Sequence, residues 1–125
     1  MEPHDVRVFP TPADFRAWLE ENHTTATEQW VGYYKKDVPK TSMTYAEAVD
    51  EALCFGWIDG QARRISDEIS SIRFSPRRKG SNWSAVNVAK VAQLTNAGRM
   101  HPAGLRAFEA RDHTRAAEPL SLTDG

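Results

Sequence analysis

Two stretches of the chain hold the residues whose types and spacing could do chemistry. The first runs Leu53, Cys54, Phe55, Gly56, Trp57, Ile58, Asp59, Gly60, so that a thiol, an indole and a carboxylate follow closely on one another. The second, residues 73–84, has the densest positive charge, in Arg73, Arg77, Arg78 and Lys79, and continues through Gly80 and Ser81 to Trp83. A basic loop entering a helix N-terminus suits an anion, because free backbone N–H groups and the helix dipole add to the guanidinium donors. Arg77, Arg78, Lys79, Gly80 and Ser81 supply that arrangement, without the Gly-x-x-x-x-Gly-Lys-Ser/Thr pattern that would indicate a nucleoside triphosphate. Asp59 could serve as general acid or base, but an arginine beside it would lower its proton affinity and make it an ionised anchor.

Other chemistries find less support. Cys54 has no histidine near it in sequence, and the C-terminal end of a helix disfavours a thiolate, so it reads as packing. His4, His23, His101 and His113 lack the short spacing that places metal ligands on one helix face, and one cysteine cannot build a thiolate cluster. No metal and no cofactor is expected, since no Gly-x-Ser-x-Gly elbow and no Gly-x-Gly-x-x-Gly fingerprint is present. Trp57 and Trp83 among arginines resemble the mixture used on single-stranded nucleic acid, where stacking contributes about 1 to 3 kcal/mol per base. Indoles on a helix stripe or beside a glycine are core residues far more often, and nucleic-acid binding is disfavoured on that ground.

The elements that must position these residues are signalled locally. Thr11, Pro12 and Asp14 open a helix as cap, first-turn proline and dipole-matched acid, and Phe15, Trp18 and Leu19 form its apolar stripe. Residues 29–36, with Trp30, Val31, Tyr33 and Tyr34 in near succession, read as a strand covered on both faces. Lys35 and Lys36 could mark a ligand edge, but paired lysines there more often guard a sheet edge. Thr44 and Glu47 make a capping box, after which Tyr45, Ala48, Val49, Ala52 and Leu53 place one stripe against the core until Gly56 stops the helix.

Residues 57–65 then read as a strand with Trp57 and Asp59 on one face, and residues 71–75 as a second. Pairing them as a hairpin would bring Arg73 within reach of Asp59. Past Pro76, a helix is expected from Ser81 or Asn82, with Trp83, Val86, Val91 and Leu94 as its stripe and Asn87 near the seam. Gly98 ends it, and His101 and Pro102 open a last helix with Leu105 and Phe108 packing inward. The result is an α+β fold, a small antiparallel sheet of about three strands packed with about four helices. Residues 1–115 form a single domain and residues 116–125 are expected to be a flexible tail.

Composition bounds the rest. A chain of 125 residues can bury one core without staples, and a formal net charge of −1 excludes a generally basic coat for nucleic acid, so any anion site must be a local patch. No apolar run approaches the roughly 18 residues of a membrane span. A lone cysteine favours a reducing, cytoplasmic compartment.

The sequence resembles the bacterial YdeI/OmpD-associated family, also labelled bacteriocin-protection proteins. The likeness runs from about Phe9 to Arg111 and is carried by EALCFGWIDG at 51–60, by RFSPRR at 73–78 with Ser81, Trp83, Ser84 and Asn87, and by GRMHPAG at 98–104. The resemblance implies a link to outer-membrane porin or to antimicrobial-peptide stress, and it brings no catalytic residues that could be transferred. The leading expectation is a cytoplasmic binding module whose ligand site comprises Trp57, Asp59, Arg73, Arg77, Arg78, Lys79, Ser81, Trp83 and Asn87. Its partner would be a small anionic ligand or an acidic peptide. The alternatives are an enzyme using Asp59 as acid or base with arginine charge stabilisation, single-stranded nucleic-acid binding, and a protein-interaction domain.

Overall fold

Local hydrogen bonding starts the helices. In the computed structural model, which describes residues 2–111, the Thr11 hydroxyl accepts from the Asp14 N–H while the Asp14 carboxylate accepts from the Thr11 N–H, both at 3.2 Å. This reciprocal cap opens α1 (Pro12–Asn22). Thr44 and Glu47 repeat the device ahead of α2 (Tyr45–Cys54), at 2.9 and 3.1 Å. The remaining elements are β1 (Arg7–Val8), β2 (Gln29–Tyr34), β3 (Trp57–Arg64), β4 (Ile69–Pro76), α3 (Ala85–Asn96) and α4 (Pro102–Glu109). The expected tail falls outside the described residues.

The four strands form one sheet in the order β1-β2-β4-β3. The α+β class and the four helices are as expected, but the sheet has four strands and is mixed, because β1 runs parallel to β2. Two residues carry no periodicity, so β1 is set by its surroundings: the Gln29 side chain donates to the Asp5 carbonyl at 2.7 Å, and Met43 N–H donates to the Phe9 carbonyl at 3.0 Å.

The chain divides into two compact units, one of Met1–Ala52 and Trp57–Pro76, the other of Leu53–Gly56 and Arg77–Gly125. In the first, Phe15, Leu19, Trp30, Val31, Ala48 and Phe74 are fully buried. Phe15 meets Phe74 edge-on at 5.6 Å, and Trp18 meets Trp57 edge-on at 5.8 Å, which fixes α1 on the strand face that holds Trp57 and Phe74. Both faces of β2 are covered, Trp30 on one and Val31 on the other. Arg16 reaches from α1 to the nearly buried carboxylate of Glu51 in α2 at 3.2 Å, so that this charge is not left alone in the interior.

Between Asp59 and Ala62 the register of β3 on β4 shifts: Asp59 faces Phe74 but Ala62 faces Ile72, so β3 has one residue more than its partner. This bulge re-aims the strand beyond it. The hairpin turns at Ser66, whose hydroxyl accepts from the N–H groups of Glu68 and Ile69, both at 3.2 Å, while Arg64 pairs with Asp67.

The second unit is built on a close approach. Gly56, at φ +79°, ends the α2 run in the left-handed region, and a Cβ there would lie 2.6 Å from the Ala107 Cβ. Gly104 lies against the Cys54 carbonyl so closely that any side chain would enter it. The same carbonyl accepts from His101 N–H at 3.0 Å, and Phe55 stacks on the His101 ring at 4.5 Å. Leu53, Cys54 and Phe55 are accordingly buried.

Candidate functional site

The nine expected ligand residues fall in different units: Trp57, Asp59 and Arg73 in the first, and Arg77, Arg78, Lys79, Ser81, Trp83 and Asn87 in the second. Trp57 is 2% exposed and Trp83 is 1% exposed, so neither indole presents a face for stacking on a base.

The hairpin forms, yet it does not pair Arg73 with Asp59. Asp59 stands opposite Phe74, and strand alternation sends the adjacent Arg73 to the other face, where its Nε donates to Glu28 at 2.5 Å. Glu28 also holds His4 at 2.6 Å, and the Arg73 hydrogen bond keeps its carboxyl below the usual range, against the opposing effect of burial. Asp59 instead accepts from the Tyr45 hydroxyl at 2.5 Å through Oδ2. That bond, then burial, pushes the Tyr45 phenol up to about 12.

In the second unit the helix begins later than the sequence indicates. Ser84, not Ser81, caps α3, accepting from Asn87 N–H at 3.1 Å, and the first residues of the basic segment turn instead, with Ser81 N–H donating to the Arg78 carbonyl. Trp83 thus precedes the helix, and Val86 is 66% exposed and outside the core stripe. The Arg77 guanidinium lies 4.0 Å over the Trp83 ring, Trp83 meets Phe108 edge-on at 5.4 Å, and the Arg111 guanidinium lies 3.7 Å over Phe108. The outcome is a ladder of cation, indole, phenyl and cation, to which Gly80 N–H adds a bond to the Ala110 carbonyl at 2.7 Å.

Around that ladder Ser81 Oγ, Trp83 Nε1 and Arg111 Nε are buried with no hydrogen-bond partner. All three can donate. Arg78 and Lys79 stand exposed beside them. Residues 77–111 hold seven lysines and arginines and one carboxylate, Glu109, so this segment is net positive.

A family model described as a domain of unknown function, DUF8412, matches residues 7–107, from β1 into α4. The chain belongs to the DUF8412 family. No curated protein and no solved structure matches it. The match takes in the basic loop of residues 77–83 but stops short of Phe108 and Arg111.

The second region of the DUF8412 domain is an open cleft of about 500 Å³ in the first unit, lined by none of the nine expected residues. Tyr33, Tyr34, Lys35, Met43, Tyr45, Arg63, Arg64 and Ile72 are among its walls. Sequence reading placed Tyr45 on the core stripe of α2, but as the first helical residue after the Thr44 cap it is 47% exposed. Lys35, which the sequence places as a guard of the sheet edge, stands in the wall as well. Tyr33, Arg63 and Arg64 had no local signal beyond the alternation of their strands. The Tyr33 hydroxyl is buried without a partner, and burial first, then Tyr45 and Asp59, pushes its proton affinity well up.

Cys54 is wholly buried, which removes it as a nucleophile for an incoming substrate. Among the described residues no three His, Cys, Asp or Glu side chains converge on a metal position, and no described helix is long and apolar enough to cross a membrane.

Proposed function

We propose that this domain binds a small anionic ligand, a phosphorylated metabolite or an acidic peptide segment, through the basic loop of its second unit. The observation that carries the reading is the set of buried donors without acceptors, Ser81 Oγ, Trp83 Nε1 and Arg111 Nε, beneath a loop bearing Arg78 and Lys79. A buried donor left unsatisfied costs about 1 to 3 kcal/mol, and an oxyanion accepting from several of them would recover that cost. The Arg77 guanidinium, 4.0 Å over the Trp83 ring, adds positive charge beside these donors. The lone cysteine supports a cytoplasmic setting, and the resemblance to the YdeI/OmpD-associated family would link the binding to envelope or antimicrobial-peptide stress.

Titration with inorganic phosphate, phosphorylated metabolites and acidic peptides, followed by melting temperature and tryptophan fluorescence, tests the reading. At least one such anion is expected to raise the melting temperature, with about tenfold weaker binding in Arg77→Ala. The proposal fails if none of them shifts either signal.

A second reading, acid or base chemistry at Asp59, has one observation in its favour: Oδ2 is taken by Tyr45, whereas Oδ1 has no hydrogen bond among the described residues. It requires a turnover that Asp59→Asn abolishes while the fold is kept.

A further inference from the structure

We infer that the cleft of the first unit is a separate binding site, built for a small organic anion with an apolar body. Its volume, about 500 Å³, lies within the range of sites that enclose small molecules. The Met43 side chain, the Tyr33 ring and Ile72 give it apolar walls. Its charged lining is cationic throughout, Lys35, Arg63 and Arg64, with no Asp or Glu, although acidic residues outnumber basic ones thirteen to eight in this unit. Three cations gathered in an acidic unit run against its average.

The polar groups of the cleft divide into committed and uncommitted ones. Ser42 accepts from Tyr34 N–H, Thr44 caps α2, and Ser71 donates to the Arg63 carbonyl, so these hydroxyls serve the fold. Arg64 is neutralised in part by Asp67. Recognition therefore falls to Lys35, to the guanidinium nitrogens of Arg63 other than the Nη1 that donates to the Ala62 carbonyl, and to the Tyr33 hydroxyl, which belongs to a residue nine-tenths buried and finds no acceptor in the protein. Burial holds that phenol in its protonated form, so it has a proton to give to an acceptor, and a carboxylate or sulfonate supplies one. Tyr45, half-exposed and held by its bond to Asp59, completes the cleft wall.

The test uses octanoate and anilinonaphthalene sulfonate as probes, with octanol as the uncharged control, on the full chain. Amide shift mapping should place both anions at Tyr34, Ser42 and Ile72, with octanol at least about tenfold weaker. Tyr33→Phe, which removes one oxygen and keeps the ring, should weaken octanoate about fivefold to tenfold. Arg77→Ala should leave octanoate binding unchanged, which separates this site from the one proposed in the second unit. Shifts confined to other regions, octanol binding as tightly as octanoate, or an unaltered affinity in Tyr33→Phe would each overturn the inference.

Discussion

The two units of this chain handle charge in opposite ways. The first has thirteen acidic and eight basic residues, and its buried or half-buried carboxylates are met by cations from within: Glu28 by Arg73 and His4, and Glu51 by Arg16. The second has four acidic and eight basic residues, and its notable cations are held by aromatic rings, Arg77 on Trp83 and Arg111 on Phe108. A guanidinium over a ring is held by the quadrupole of its face, whereas one paired with a carboxylate is held by charge. The near-zero net charge of the whole chain conceals this contrast. Carboxylate pairs tie elements of the first unit together, leaving the cleft cations Lys35 and Arg63 outside them, while ring contacts mark the second.

The largest effects should come from backbone approach. Gly104→Ala would drive a methyl group into the Cys54 carbonyl and is expected to cost about 3 kcal/mol or more, read as a lower urea midpoint. If it is tolerated, the close packing assigned to the second unit is wrong. Next comes the first unit's ion pair: Arg16→Ala withdraws a donor from the nearly buried Glu51 and should cost about 3 kcal/mol in the same assay. A matching loss from Arg78→Ala, an exposed residue of the second unit, would erase the distinction between structural and outward-facing charge. That substitution is expected to change stability by less than about 0.5 kcal/mol.

A smaller effect concerns pH. The Glu28 carboxyl is lowered in the folded state, so its contribution is fully present above its unfolded value, near 4.5, and is lost as pH falls through the folded value. Glu28→Gln should therefore be less stable than the parent at neutral pH, by about 1 kcal/mol, with the gap closing in acid. A gap that widened below pH 4.5 would contradict the pairing with Arg73. The smallest effect is spectroscopic. Asp59→Asn removes the charged acceptor of Tyr45, and one tyrosine should then ionise nearer the ordinary 10 than about 12 in an ultraviolet titration.

What sequence reading recovered was chemistry completed within a few residues. The caps at Thr11 and Thr44 and the stop at Gly56 depend on hydrogen bonds or handedness closed inside one turn, and all three are present. The basic loop was legible as well, because adjacent Arg77, Arg78 and Lys79 need no fold to be recognised. The partner of Asp59 was not. Adjacent strand positions point to opposite faces, so a one-place offset opposite Phe74 exchanges Arg73 for Tyr45. Nor could the residues favour Ser84 over Ser81 as the cap of α3, since both are serines ahead of an apolar pattern. The cleft was hidden for a further reason: Tyr33, Tyr45 and Arg63 come from three elements, and no one of them is unusual in its own segment.

The approach of Gly104 and His101 to Cys54 also sets an order on the making of the protein. Leu53–Gly56 belongs to the second unit, yet its packing partners are in α4, the last described helix. During synthesis that short segment leaves the ribosome long before α4 exists, and the Phe55 ring must wait for His101 to stack on it. A nascent chain halted before Gly104 should therefore expose this apolar stretch to chaperones, whereas one that includes α4 should not.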